Sequence, residues 1–543
     1  MSSAAVPWYN ERAVSQKRSV VLTKWLQQRP GAIGRSGIEP VRMLQAPARR
    51  AYAAAQVNRL TQGWSTTSAS ANTDIHRALD AVRARSRSLS QNDEYVRKWL
   101  ALVDTNVVGP DGFRLQGRVY GADRQPDRLA NDAIEAGIAR WSEAGVCDVT
   151  GRHSRTDLEH IGIKQVARDG EYLFRWIRGA EAGNAFGLAL QALDVDRLDT
   201  NLNRPADQGR NAIRMGVELN RYGRPVAYHL RSAHPGDLYQ QAQGGQVGVV
   251  ERVPAEDILH DFIADRPEQV RGMPWAHAAM PRLNNIGGYE EAAVIAARVG
   301  ASKMGFFTTP EGDNAPVVTG TEVDGAGNAV PVMDADPGTF QTLPQGVEFT
   351  PFNPDYPAAM YADFVKANLR GVASGLLVAY HSLANDLEGV SFSSIRSGTL
   401  EDRDMWMLIQ RWFSQSFLRR VHAEVLRVGL AFGLFVMPNG SALPLAKIDK
   451  FRPHTWQGRR WEWVDPRADI EADVAAIDAG LKSPQSVAAK LGMDYEDLLQ
   501  EIKQAEDMRK AAGVVLPDRH AKAQLQQPAA PAAKPKSKSE DET

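Results

Sequence analysis

The stretch from Ser391 to about Arg427 most constrains what this chain can fold into. Trp406, Ile409, Phe413, Phe417, Val421 and Val425 recur at steps of three and four, the spacing that sets one apolar stripe along a helix. At 1.5 Å per residue such a helix spans roughly 50 Å, a length few monomeric domains need. The segment that feeds it, "NDLEGVSFSSIR" (385–396), is polar and contains glycine. Ser391, Ser393 and Ser394 crowd the junction, with His381 and Asp386 just upstream. Two readings compete: a nucleophile site, or a loop that a long helix holds out into some space.

The text before the junction has its own symmetry. "NNIGGYEEAAVIAARVGASKMG" (284–305) and "PDYPAAMYADFVKANLRGVASGLLV" (354–378) read as helices rich in Ala and Gly. Between them, residues 306–355 are turn-rich and carry short apolar runs, a small β-rich excursion. Residues 74–109 read as two helices, with an N-cap at Asn72 or Asp74 and a stop at Gly109-Pro110. Residues 112–265 mix helices ending at Gly145 and Gly170 with apolar strand-like runs, and "NRYGRP" (220–225) turns at Gly223. "RRWEWV" (459–464) also reads as strand. Asp465-Pro466 opens a last helical unit, with stops at Gly480 and Gly513 and a cap at Ser483-Pro484. The fold class expected is α+β, mainly helical. A polar arm (1–60), partly disordered, precedes it, and a low-complexity disordered tail (514–543) follows.

Composition excludes several classes of function. Lys and Arg number 64 against 65 Asp and Glu, a net charge of −1. Tight nonspecific binding to nucleic acid usually calls for a basic protein, so balance argues against it without excluding a surface that DNA slides past. One cysteine, Cys147, leaves no intrachain disulfide and no Cys-rich metal site, and reads as a small packed apolar residue. Trp8, Glu11, Arg12 and Lys17 break any signal-peptide pattern. The greasiest run, "VGLAFGLFVM" (428–437), is half the length of a membrane span and reads as buried core of a soluble protein.

Catalytic signatures are missing. The sequence has no Walker A motif, no strand-fed G-x-G-x-x-G, no H-E-x-x-H, no C-x-x-C and no G-x-S-x-G. His153 and His160 lie seven apart with no third ligand nearby, so a surface or capping role outweighs a metal site. A serine hydrolase using Ser391, His381 and Asp386 is the remote alternative. It lacks a strand–turn–helix frame, and an Asx turn at Asp386 and an N-cap at Ser391 explain the same residues. Paired acids such as Glu290-Glu291 and Glu401-Asp402 read as solvated helix faces. No cofactor is expected, and no enzymatic activity.

Several segments taken in order carry a resemblance. They are "ARRAYAAAQVNRLTQGW" (48–64), "YVRKWLALVDTNVVGPDGFRLQ" (95–116), "ARDGEYLFRW" (167–176), "VPAEDILHDFIADRPEQVRGMPW" (253–275), "GVSFSSIRSG" (389–398) and "WVDPRADIEADVAAIDAGLKSPQSVAAKLGMDYEDL" (463–498). From about residue 45 to 513 the chain resembles the lambda-type phage portal family. That resemblance implies an α/β wing (61–283), a stem helix (284–305), a clip (306–355) and a second stem helix (356–378). It continues with a tunnel loop (379–390), a long kinked helix returning to the wing (391–464) and a helical crown (465–513).

The resemblance also implies a ring of twelve copies at one vertex of the capsid. DNA would be packaged and ejected through its pore, which is why the absence of an ATPase motif fits. The implied partners are the chain itself, the terminase large subunit at the clip, the major capsid protein or scaffold, a head–tail connector or adaptor, and double-stranded DNA in transit. No membrane and no metal are involved. Asn385, Asp386, Glu388 and Gly389 would face the DNA, with Asn385 neutral, the two acids repelling phosphate and Gly389 giving backbone freedom. Lys303, Lys366 and Arg370, on the two stem helices, are possible channel-lining cations, with inter-subunit ion pairing as the alternative. Another head–tail connector or head-completion protein is the rival structural reading, disfavoured by length.

Overall fold

A computed structural model of the chain describes residues 59, 63, 65–207, 209–237, 250–301, 305–308, 320–323, 329–332, 348–351, 358–388, 391–461 and 466–513. Helix α1 (Ala71–Asn92) is capped by Ser70, whose hydroxyl accepts from the Thr73 N–H at 3.2 Å. The cap is therefore neither Asn72 nor Asp74. Those side chains are drawn into tertiary contacts instead: Asn72 bonds the Glu268 carbonyl and the Val270 N–H, and Asp74 pairs with Arg266 at 3.0 Å. Asp93 then ends α1 and caps α2 (Glu94–Val107) in one residue.

Strand β1 (Arg114–Gly117), α3 (Arg128–Trp141) and α4 (Arg155–Asp169) follow. Helix α4 starts on a reciprocal Ser154/Asp157 capping box and ends at Gly170, with φ of +95°. A side chain at Gly170 would meet the Met273 carbonyl carbon at 2.4 Å, so two backbone segments touch there.

Two antiparallel sheets come next. Strands β2 (Tyr172–Arg178) and β3 (Leu188–Ala192) pair through Trp176↔Leu190. Strands β4 (Ala212–Arg214), β5 (Val217–Leu219), β6 (Pro225–Arg231) and β7 (Val250–Pro254) form the second sheet in sequence order, with Gly223 turning between β5 and β6 as expected. Strand β8 (Ile258–Asp261) returns to β2, giving a three-stranded order β3-β2-β8. Buried charge sits where the two sheets' cores approach: Glu171, Arg83 and Arg271 are all essentially without solvent exposure.

Helix α5 (Met280–Ala301) leads into β9 (Gly305–Thr308), β10 (Gly320–Val323), β11 (Ala329–Val332) and β12 (Glu348–Pro351). Because β9 pairs with β12 and β10 with β11, the insert leaves and returns at one place, handing the chain to α6 (Ala358–Gly375). The expected loop after α6 contains a short helix, α7 (Tyr380–Ala384).

The long helix exists and runs further than its sequence stripe. It comprises α8 (Phe392–Phe413), a π-helical turn (Ser414–Leu418) and α9 (Arg419–Ala431). All six stripe residues, Trp406 to Val425, are buried. A π turn is one of the few features that can bend a helix sharply. Phe417 within it packs 5.1 Å from Phe174 and 5.6 Å from Tyr172, and Phe413 stacks on Phe417 at 5.1 Å. This aromatic cluster joins the helix to β2.

Beyond α9 the expectation of uniform burial fails. Phe432 is 66% exposed and Val436 43%, because the chain reverses at Gly433 (φ +64°) and only alternate residues turn inward. Phe435 is fully buried and fills a slot between Gly137 of α3 and Gly429 of α9, where a Cβ on either glycine would lie 2.4 Å or less from its ring. Phe435→Ala is expected to cost about 3–5 kcal/mol in urea unfolding, as for other large buried aromatics. After α10 (Ile448–Phe451), the strand is β13 (His454–Gln457), paired with β1. Of "RRWEWV", Arg459–Trp461 is irregular rather than strand, its side chains engaged by Thr105, Gln410 and Asn106, and 462–464 lie outside the described residues. Helices α11 (Pro466–Asp478), α12 (Pro484–Lys490) and α13 (Tyr495–Ala511) close the described chain, with the Ser483 cap and Pro484 as read.

Candidate functional site: the loop before the long helix

Helix α6 and the loop after it are anchored from below. The Trp99 indole N–H donates to the Leu376 carbonyl at 3.1 Å, and Leu369, Val372, Ala373 and Leu376 are buried. Asp402 of α8 accepts from the Ala379 N–H at 3.0 Å and from the Ser382 hydroxyl. Asp402 is therefore a tether for α7, not a solvated acid. Nothing in the local sequence marks it, because its partners lie about 20 residues upstream.

Asn385 closes α7 in the left-handed region, φ +54°, a conformation asparagine tolerates. Asp386 then becomes the hub. One carboxylate oxygen accepts the Glu388 N–H at 3.0 Å. The other accepts the Tyr380 hydroxyl at 2.9 Å and lies 3.1 Å from the Lys366 ammonium. Lys366 also reaches Glu388 at 3.3 Å. One turn further along α6, the Arg370 guanidinium lies 5.5 Å from the Tyr380 ring centre. The Glu388 N–H, followed by Tyr380 and Lys366, holds the Asp386 carboxyl below its ordinary range, and hydrogen bonds to Asp386 and Glu388 hold the Lys366 ammonium above its own. Leu387 at the tip is 61% exposed.

Thus Asp386, Glu388, Lys366 and Arg370 come together, joined by Tyr380, which sequence patterning did not flag. Gly389 and Lys303 lie outside the described residues. The hydrolase reading does not assemble. The Ser391 hydroxyl caps α8 through the Ser394 N–H and bonds the Ser393 and Ser394 hydroxyls, while both Asp386 oxygens are engaged as above. His160 pairs with Asp104 at 2.6 Å, and His153 does not join it. Cys147 is buried, and burial pushes its thiol up to about 12. Asp194, Asp196 and His234 also converge, but Arg87 and Arg83 already neutralise the two carboxylates. Among the described residues no helix is long and apolar enough to cross a membrane.

Apolar side chains on α5, α6 and α8 are exposed in the subunit. Val294 and Ile295 on α5 are 57% and 52% exposed, and Phe364 on α6 and Leu408 on α8 also face outward. Tyr289 of α5 lies 4.7 Å from Phe364 and 5.8 Å from Tyr361, so α5 and α6 are zipped by aromatic rings.

Comparison with known proteins settles the lineage. Residues 57–410 match the family described as phage portal protein, lambda family. The chain belongs to the lambda family of phage portal proteins. A probable portal protein of Halomonas phage phiHAP-1 is 33% identical, over 87% of this chain and 89% of its own. Portal protein B of Escherichia phage lambda is 22% identical, over 84% and 89%. The neck of an empty gene transfer agent particle, computed with C6 symmetry, aligns with a TM-score of 0.40 and 14% identity, over 76% of this chain and 93% of its own. Membership makes this chain a structural portal protein of the virion capsid.

Proposed function

We propose that this portal protein assembles as a closed ring of twelve copies around a channel through which double-stranded DNA enters and leaves the capsid. Helices α5 and α6 are the two stem helices, the β9–β12 insert is the clip, residues 61–283 form the wing, and α11–α13 form the crown. The clip docks the terminase large subunit during packaging, and later a head–tail connector. The capsid protein or scaffold holds the wing. The chain itself supplies no catalysis, since the motor is another protein.

The exposed apolar residues of the stem helices support this reading most. Helix α5 carries buried Ile286 and Ala293 beside exposed Val294 and Ile295, so its apolar residues run around it rather than along one stripe. A helix whose apolar residues are not confined to one face needs cover on more than one side. A cyclic ring presents two different faces of each subunit to its neighbours, and so covers such a helix from both sides. Light scattering after size-exclusion chromatography tests this: the expected mass is about twelve subunits, and a monomer or dimer at every concentration contradicts it.

In this reading Asn385–Glu388 is the tip of the tunnel loop. Its two acids do not stand free, as the sequence suggested, because Lys366 neutralises them from the stem, and Lys366 is correspondingly not a loose phosphate contact. Arg370 remains the exposed cation of the described trio members. Lys366→Ala is expected to leave the ring and the melting temperature unchanged while amide exchange across 385–391 speeds up, read by mass spectrometry. The tether holds at neutral pH. Because the Asp386 carboxyl is depressed, it weakens only as pH falls below the ordinary aspartate range.

A further inference from the structure

Positive charge is concentrated at one end of the β4–β7 sheet. Residues 201–226 carry five arginines against two acids, in a chain whose net charge is −1. The strand register brings three of those arginines together. Ala212 of β4 pairs with Leu219 of β5, and Leu219 with Pro225 of β6, so these three residues share one end of the sheet. Arg210 lies two residues before Ala212, Arg221 two after Leu219, and Arg224 one before Pro225. With strands roughly 4.8 Å apart, the three chains span about 10 Å there.

The turn that carries two of the three is held firmly. The Asn220 side-chain oxygen accepts from the Tyr222 N–H at 2.9 Å and from the Arg224 N–H at 3.0 Å. The Asn220 N–H donates to the Arg224 carbonyl at 2.9 Å. Tyr222 is left 78% exposed, and the Arg221 guanidinium lies 4.6 Å from its ring centre. Contact with the ring steadies that guanidinium without neutralising it. Arg210, Arg221 and Arg224 are all exposed, and no carboxylate among the described residues pairs with them. Glu218 of β5 does not serve them, since Arg252 holds it at 2.8 Å and the Asn211 amide at 2.9 Å.

We infer that this end of the sheet docks on the phosphate backbone of duplex DNA through Arg210, Arg221 and Arg224. Guanidiniums match phosphate oxygens, and contacts to phosphate hold DNA without reading its sequence. A protein partner would need an apolar anchor at the centre of its interface. Beside Tyr222, the one large apolar side chain exposed on β4 to β6 is Val226, at 36%. The surface is separate from the channel proposed above, and its use does not require the ring to close.

The test is a filter-binding titration of the full chain with covalently closed circular duplex DNA, which cannot thread a bore. Binding is expected, and it should weaken steadily as salt rises. The triple variant Arg210→Ala/Arg221→Ala/Arg224→Ala should bind about tenfold more weakly or worse at 0.1 M salt, with a log–log salt slope smaller by about 2–3. Its melting temperature should match wild type, because all three side chains are exposed. Arg467→Ala, which removes a 90% exposed charge from α11, should bind as wild type. No binding of the circle, or wild-type affinity and slope in the triple variant, would overturn the assignment. So would displacement of the DNA by polyglutamate of equal charge, which would make an acidic protein the partner.

Discussion

Arg271→Ala is expected to destabilise the folded protein strongly. Glu171 has no solvent exposure, and its carboxylate is held by Arg271, by Arg83 at 2.8 Å, by His260 at 3.0 Å and by the Gly272 N–H at 2.9 Å. Arg271 also ties the Met215 carbonyl at 2.8 Å. Removing one partner of a buried pair leaves the other charge uncompensated, a loss of about 3–5 kcal/mol. That is a large share of a stability of about 5–15 kcal/mol, and urea unfolding reads it. Burial alone would push the Glu171 carboxyl up, but Arg271, His260 and Arg83 outweigh it and hold it well below its ordinary range. The sign follows: a depressed carboxyl stabilises above its unfolded pKa, roughly 4.3, and that contribution disappears as pH falls toward the folded value. Wild type should lose stability on acidification below this point, and Arg271→Ala should lose less there, having less to lose.

The pair of substitutions Val294→Asp and Ile295→Asp is expected to abolish ring assembly while leaving each subunit folded. Both side chains are more than half exposed in the subunit, so its own core does not need them. In the ring each would bury a carboxylate against an apolar neighbour, at several kcal/mol per interface, repeated around the closed cycle. Light scattering should show subunits only, and the circular-dichroism melt should match wild type. Large particles formed by the double variant would place the interface elsewhere.

The legible parts of this fold are those written in local patterns. The stripe Trp406–Val425 fixed the long helix because its period is helical and its residues are large. Gly170, Gly223, Gly480 and Gly513 marked stops because each takes a positive φ. What stayed hidden depends on partners far away in sequence. Asp402 looked like a surface acid until α7 packed on it, and Asn72 looked like a cap until residues 268–270 claimed its amide. At the candidate site the sequence singled out Asp386, Glu388, Lys366 and Arg370, but not that Lys366 would pair with both acids. Residue type shows charge, while a 3.1 Å contact between positions 20 apart depends on how α7 folds back. The π turn left no mark either, since one extra residue barely shifts a hydrophobic period.

Electron microscopy of the purified full-length chain tests the central claim most directly. Rings with an open bore wide enough for duplex DNA, walled by α5 and α6, are expected. Isolated globules, or rings whose bore is too narrow for a duplex or walled by other helices, would contradict it.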